Sequence, residues 1–316
     1  MYKYPLLLKP EIIEKVWGGY KFLEMLKTDN TEPIGESWEL SVRDDYNSKI
    51  MIGPYKNKTV KDILDKFGID FSGFDNPHFP ILVKYLDIND KLSIQVHPDD
   101  NYALENENDS GKTECWYVME ASDDCKLILG LDKKYHHINN EDLKKHIENG
   151  NLDIYNVENI KSGDFIFIKP GLIHGTIDGS CLIAEIQQNS DTTYRVYDFD
   201  RSYKGKKREL HISKALDVIE KDLLPDIVTT TKMSSINLPQ LLCNSDYFIV
   251  ELINVKGSVE ITNSKIVTVM IIEGEVEASS KSGTTKAIRG QTILLPSNEL
   301  YVIKSDFAKI LTVSLN

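Results

Sequence analysis

Polar and apolar positions alternate over short spans through most of this chain, and few stretches carry the wider spacing of a helix. Thr59-Val-Lys-Asp-Ile-Leu-Asp-Lys-Phe67 is one: a threonine positioned as N-cap, apolar residues at Val60, Ile63, Leu64 and Phe67, and a stop at Gly68. Asn140 to Asn149 ends at Gly150 in the same way, and Ser213 to Asp222 is halted by Pro225. The remainder predicts strands. Ile81–Leu86, Leu92–Val96, Trp116–Met119, Phe165–Ile168 and Leu182–Ile186 are β-rich runs between turn residues. Beyond about residue 240 strands dominate, at Phe248–Ile253, Ile266–Ile272, Thr292–Leu295 and Ile310–Val313. Many short strands with Gly and Pro punctuation mean a sandwich or barrel.

A weak internal repeat sharpens this. Ser162-Gly-Asp-Phe-Ile-Phe-Ile-Lys-Pro170 and Arg289-Gly-Gln-Thr-Ile-Leu-Leu-Pro296 share a turn glycine, a β-run and a proline, and Ile272-Glu-Gly-Glu-Val-Glu277 supplies a hairpin ahead of the second copy. The expectation is a mainly β protein of two tandem jelly-roll barrels with a few short α-helices. The first unit, with N-terminal strands and helical insertions, spans residues 1–235, and a degenerate barrel spans 236–316. The first copy carries His174 just after its proline. No histidine follows residue 211, so the second barrel has no histidine metal site and is expected to be structural.

Composition narrows the partners. The chain has 316 residues, room for two packed units, with 41% apolar and 27% charged positions. A net charge of −12 leaves no basic surplus to displace counterions from nucleic acid, although a few convergent cations could still bind a small anion. The N-terminus has only a short apolar run before Lys9, and no stretch approaches the ~20 residues of a membrane span. Cys115, Cys125, Cys181 and Cys243 show no C-x-x-C spacing and read as reduced, mostly buried thiols. A soluble cytoplasmic protein, monomer or homodimer, is expected, without nucleic-acid or membrane partners.

Four segments carry chemistry. In Ser93-Ile-Gln-Val-His97 the residues Ser93, Gln95 and His97 leave one strand face, with Ile94 and Val96 on the other. A lone strand histidine is more often structural, but two further polar residues on a face that should be apolar argue for function. Lys112 and Glu114 share a face directly before an apolar run, where a solvated edge is the bland alternative. In Lys169-Pro-Gly-Leu-Ile-His174 a strand turns and sets a histidine at the start of the next. Glu185, Gln187, Asn189 and Asp191 then keep a two-residue polar period leading to Arg195. Two imidazoles, a carboxylate and an amide oxygen suit Zn²⁺ or another first-row divalent ion, with one position left for water or substrate.

In these segments, and in Val16-Trp-Gly-Gly19 and Pro80-Ile-Leu-Val-Lys84, the chain resembles the type I phosphomannose isomerases, particularly the short bacterial form. The resemblance runs essentially end to end and implies a cupin fold. It implies that Gln95, His97, Glu114 and His174 bind one zinc ion per chain, that Arg195 is the active-site arginine, and that Lys84, Lys112 and Asp191 line the pocket. There are departures. Longer members carry Asn-His-Lys-Pro-Glu where this chain has Ser110-Gly-Lys-Thr-Glu114, so any role of that extra histidine is absent. Lys169 stands where the general cupin pattern has proline, and the paired His-x-His is here Gln95-x-His97.

Such an enzyme moves a proton between C1 and C2 of a sugar phosphate through an enediolate. It therefore needs a base, charge for the oxyanion and a phosphate clamp. Lys112 is expected to face the ion and, with positive charge from the ion and Arg195 nearby, to have a lowered pKa suited to a base. Arg195 is suited to phosphate or oxyanion binding by its planar fork, the alternative being an ion pair with Asp191 or Asp198. Lys84 and Ser93 are candidates for the phosphate end, and Glu185 and Asp191 for other substrate contacts. Asp99 and Asp100 read as a turn, and His136, His137, His146 and His211 as surface residues. Two rivals stand beside this reading: a different cupin enzyme, either an isomerase of another sugar phosphate or a dioxygenase, and a non-catalytic sugar-phosphate sensor.

Overall fold

The structure is a computed structural model that describes residues 1–26, 32–43, 45–75, 78–232 and 235–316. It is mainly β, in antiparallel sheets with a few short helices. One seven-stranded sheet holds, in spatial order, Asp226–Thr229, Asp164–Ile168, Glu114–Ala121, Cys181–Gln188, Ile81–Ile88, Glu11–Gly19 and Ile34–Leu40. A five-stranded sheet runs Tyr194–Tyr197, Ile94–Val96, His174–Asp178, Lys126–Leu131 and Tyr155–Asn159. The C-terminal strands build a third sheet around the long antiparallel trio Phe248–Asn263, Glu299–Leu315 and Val267–Ser280. Leu6–Lys9 joins this third sheet by pairing with Thr292–Leu295, so the first strand of the chain is laid beside the last segment.

The seven-stranded sheet is covered on both faces. Trp116, Ile166, Ile183 and Leu86 pack with Leu127 and Leu129 of the five-stranded sheet. Their neighbours Tyr117, Phe165, Ala184 and Tyr85 pack the opposite way, with Phe248, Val250, Met270 and Leu311 of the C-terminal sheet. A strand buried on both faces needs apolar side chains at consecutive positions, which is why these segments read as unbroken β-runs. Each such side chain contributes about 1.5–3 kcal/mol on burial, so these cores hold the sheets together without help from a bound ion.

The helices differ from expectation in instructive places. Val60–Phe67 forms as predicted, with a capping box between Thr59 and Asp62, and Asn140–Glu148 is capped by Asn139. The third helix covers only Ile212–Val218 and yields at Ile219, well before Pro225. Asp99 and Asp100 are more than a turn: Asp99 accepts from the Tyr102 N–H and caps a helix over Asp100–Glu107. Residues 272–277 are not themselves the turn of the hairpin ahead of the second copy, which pairs Val267–Ser280 with Gly283–Ile288. They lie inside Val267–Ser280, where Gly274, at φ +78°, gives a bulge rather than a reversal.

Candidate metal centre

The site continues the apolar face between the seven- and five-stranded sheets. Along the strand from Cys181, Ile183 is followed two residues later by Glu185; along the one from Ile88, Leu86 is followed by Lys84; and Trp116 is preceded by Glu114. One face thus changes from hydrocarbon to charge at the opposed pair Lys84 and Glu185, and two residues further along at Glu114, which stands opposite Gln187. Glu36, on the edge strand Ile34–Leu40, stands opposite Leu86 and reaches Lys84 diagonally. Glu36, Lys84, Glu185, Lys112 and Glu114 form a buried row of alternating charge, with successive N–O separations of 3.9, 3.9, 3.7 and 2.9 Å.

At the end of this row His97, Glu114 and His174 present ligand atoms all within 4.8 Å of one another. His97 starts from the end of Ile94–Val96, and His174 opens the next strand of the same sheet, opposite Gln95. Each imidazole Nδ1 is 2.9 Å from a backbone carbonyl, Thr192 for His97 and Leu172 for His174. Donation from Nδ1 leaves Nε2 unprotonated and turned toward the cluster, the tautomer a metal ligand needs. Nε2 of His174 is 3.3 Å from Glu114 Oε1, and Nε2 of His97 is 3.6 Å from Glu114 Oε2.

These residues fit a divalent ion. Bonds of about 2.0–2.1 Å in tetrahedral array separate ligand atoms by about 3.3–3.4 Å, close to the spacings present. Both Glu114 oxygens are buried without a well-formed hydrogen bond, which leaves an acceptor pair facing two imidazole lone pairs. Lys112 supplies charge to Glu114 but cannot satisfy all of them. Gln95 stands beside the cluster, its amide nitrogen 3.4 Å from His174 Nε2 and its oxygen accepting from Ser93 Oγ at 3.2 Å. Turning that amide over would present the oxygen instead.

Burial drives the His97 imidazolium well below its ordinary pKa, and Lys112 adds to the shift. The chain's own charges act on Lys112 in the other direction from the ion on which the sequence expectation rests. Burial alone would lower it, but Glu114 and Glu185 outweigh burial and hold the ammonium above the usual lysine range. The cause is local: its charged neighbours are carboxylates, and Arg195 is not among them. Burial raises Glu185 to about 7, against the opposing pull of Lys84 and with the repulsion of Glu114, and its Oε1 is buried without a hydrogen bond. Glu36 also suffers burial, but Lys84 and Lys15 dominate and hold it at about 2.

The remaining predicted residues are distributed as follows. Lys84 lies between Glu36 and Glu185, 4.9 Å over the Trp38 ring. Ser93 is fully buried against Gln95. Arg195 pairs in register with Gln95 and forms no ion pair with Asp191 or Asp198 among the described residues; its Nε is buried and unpartnered. Asp191 is exposed, because the polar period ends with the strand at Gln188. Gln187 and Asn189 donate to backbone carbonyls and serve the loop rather than the site. His211 is not a free surface residue, since its Nδ1 accepts from the Arg195 N–H at 3.3 Å.

Sequence reasoning missed Glu36, Trp38 and Lys15. Trp38 Nε1 donates to Glu36 at 2.6 Å, and Lys15 pairs with Glu36 at 2.9 Å. The signal was available in Gly35-Glu-Ser-Trp-Glu-Leu40, where Glu36 and Trp38 share one strand face.

Comparison with known proteins agrees with this geometry. Residues 6–117 match the family described as phosphomannose isomerase type I, catalytic domain. The chain is 34% identical to mannose-6-phosphate isomerase ManA of Bacillus subtilis over 92% of its own length and 93% of that protein. It is also 34% identical to the mannose-6-phosphate isomerase of Streptococcus mutans, over 93% of this chain and 92% of that one. A crystal structure of mannose 6-phosphate isomerase from Bacillus subtilis superposes with a TM-score of 0.85, at 29% identity, covering 98% of this chain and 99% of the other.

Proposed function

This chain belongs to the type I phosphomannose isomerase family, and from that premise we propose that it interconverts mannose 6-phosphate and fructose 6-phosphate as a metal-dependent aldose–ketose isomerase. The observation that carries the proposal is the buried cluster in which two imidazole Nε2 atoms and an unsatisfied carboxylate converge beside a glutamate that titrates near neutrality. His97, Glu114 and His174, with Gln95 as a fourth, would hold one Zn²⁺ per chain. A bound ion of this kind polarises a sugar carbonyl or holds its hydroxyls.

The chain's own residues divide the remaining work. Glu185, with a pKa of about 7, accepts the proton from C2 and returns it to C1 while the O2 hydroxyl proton passes to O1, since a base poised near the working pH transfers protons best. Lys112, 2.9 Å from Glu114 and 3.7 Å from Glu185, holds positive charge where negative charge grows on the sugar oxygens. Arg195, with its unpartnered buried Nε, binds phosphate or oxyanion with its planar fork. Lys84, Ser93 and Asp191 are assigned to the other substrate contacts.

A coupled assay on mannose 6-phosphate, before and after chelation and after zinc is restored, tests this reading. Activity lost with the metal and regained with zinc is expected. Full turnover in metal-free protein would overturn the metal assignment, and no turnover in zinc-loaded protein would overturn the function. The rival sensor reading is disfavoured because the relatives that the chain matches over most of its length are named mannose-6-phosphate isomerases.

For the architecture, we infer two jelly-roll units of the cupin type, 1–235 and 236–316, with Leu6–Lys9 contributed across the boundary. The strand-rich C-terminal segment and its lack of histidine support a structural role for the second unit. A cytoplasmic location is supported by four free cysteines and by the absence, among the described residues, of any helix long and apolar enough to cross a membrane.

A further inference from the structure

The segment 198–210 leaves the end of the Arg195 strand and comes back to it. His211 N–H donates to the Arg195 carbonyl at 2.7 Å, and Arg195 N–H donates to His211 Nδ1. Between these anchors lies a small hairpin that pairs Ser202–Tyr203 with Lys206–Lys207. The strap carries five cations (Arg201, Lys204, Lys206, Lys207 and Arg208) against three carboxylates, in a chain whose net charge is −12. Its base is fixed. Buried Asp198 accepts from Arg201 Nε at 3.1 Å and from Arg208 Nε at 2.8 Å, so two guanidiniums share one buried carboxylate. Its far side reaches across to other elements: Lys204 is 3.0 Å from Glu14, and Arg201 is 3.5 Å from Asp90. Glu14 neighbours Lys15, which pairs with Glu36 of the buried charge row. The strap therefore spans from the Arg195 strand to the strand that carries Lys15.

The exposed pairs of Lys204 with Glu14 and Lys207 with Asp200 contribute little to stability, so the lysines of the tip, unlike the two arginines on buried Asp198, have no structural explanation in folding energy. They do have an electrostatic one. A sugar phosphate approaching a chain of net −12 is repelled at long range, and a local positive field beside Arg195 reverses the sign where it matters. Arg195 feels this field: burial lowers its pKa first, and Arg208 is the next contributor.

We propose that the basic strap 198–210 is an electrostatic collector that draws the phosphate dianion of the substrate to Arg195. Lys204, Lys206 and Lys207 act at its exposed tip and Asp198 positions the two arginines at its base. The inference rests on the function proposed above only in the identity of the sugar phosphate. Fields of this type raise local ligand concentration and on-rates by about 10–10³-fold and fade with salt, whose screening length is about 10 Å at 0.1 M.

The test compares wild type with the triple variant Lys204→Glu, Lys206→Glu, Lys207→Glu, and with a control of equal charge change on the exposed Lys56, Lys58 and Lys281. Zinc-loaded protein is titrated with mannose 6-phosphate by calorimetry at low and high ionic strength, and kcat and KM are measured in parallel. The expected result is a Kd and KM raised about tenfold at low salt in the strap variant, with kcat unchanged and the gap closing at high salt. The control should stay within about twofold, and Lys→Arg replacement at the three strap positions should restore wild-type affinity. Equal affinity in strap variant and wild type, or the same loss in the control, would overturn the collector whatever the catalytic rates. If wild type binds the sugar phosphate without isomerising it, the function fails while the strap is still judged by Kd. If wild type does not bind it at all, both are refuted.

Discussion

Glu39 is the buried carboxyl whose removal should change the pH dependence of stability most. It lies on Ile34–Leu40, fully buried, in the layer between the seven-stranded and C-terminal sheets. Ser37 Oγ donates to its Oε1 at 2.6 Å, while its Oε2 is buried without a well-formed partner. Thr292, Tyr85 and Tyr46 are its other polar neighbours, and no cation pairs with it among the described residues. Burial therefore pushes its pKa up from 4.5 to about 8, with Ser37 and Thr292 offsetting only part of the shift. The folded carboxyl keeps its proton up to about pH 8, whereas the unfolded one releases it above 4.5, so between those values the folded state binds the extra proton. Stability must then fall as pH rises, by about 1.4 kcal/mol per unit, or about 4 kcal/mol from pH 5 to pH 8 as an upper bound. Glu39→Gln keeps the shape and removes the titration. Denaturant midpoints of both proteins at each pH unit from 5 to 9 give the contribution of Glu39 as their difference, since other groups cancel. The variant should gain on wild type steadily as pH rises and level off above about 8. A difference that stays flat with pH, or that shrinks as pH rises, would refute the assignment of a neutral, unpaired acid.

Other expectations concern the site. His97→Ala or His174→Ala should remove bound zinc and activity while circular dichroism and melting stay near wild type, because the apolar sheet faces hold the fold; retained stoichiometric zinc would contradict the ligand set. Glu185→Gln should lower kcat by about 10²–10⁴ and remove the acidic limb near pH 7 from the kcat/KM profile, and an unchanged limb would exclude Glu185 as the base. Lys112→Arg, which keeps the charge but loses any usable base, should retain far more activity than Lys112→Met; collapse of the arginine variant with zinc intact would return the base role to Lys112. Arg195→Lys should raise KM about tenfold or more despite its conserved charge, because bidentate binding is lost, and near-normal KM would remove it from the phosphate clamp.

The sequence made the metal cluster legible because its signal is local. Ser93, Gln95 and His97 advertise one polar strand face, and Lys112 with Glu114 another, so residue spacing alone predicts where those side chains go. Long-range placement was less legible. The polar alternation Glu185, Gln187, Asn189, Asp191 looks uniform in sequence, yet Glu185 alone joins the buried charge row: Gln187 and Asn189 donate to backbone carbonyls, and Asp191, beyond the strand end at Gln188, is exposed. Strand ends depend on pairing partners, and alternation carries no record of them.

The pKa of Lys112 shows the same boundary from the electrostatic side. Two residues from a metal ligand, it was expected to feel positive charge and become a neutral amine. Within the chain its field is set first by Glu114 and then, across the sheet, by Glu185, whose Cα register opposes Lys84 on one side and Trp116 on the other. Glu36 lies three strands away from Glu114, with no sequence proximity to it, yet it closes the far end of the same buried row. Alternating charges at 3–4 Å offset one another's desolvation, so each member is affordable only because its neighbours on other strands are present. A proton-transfer group is then best sought where the alternation is uneven. Glu185 is that place, since it sits between two lysines but also faces a second carboxylate at Glu114, and this leaves it titrating near neutrality while Glu36 does not.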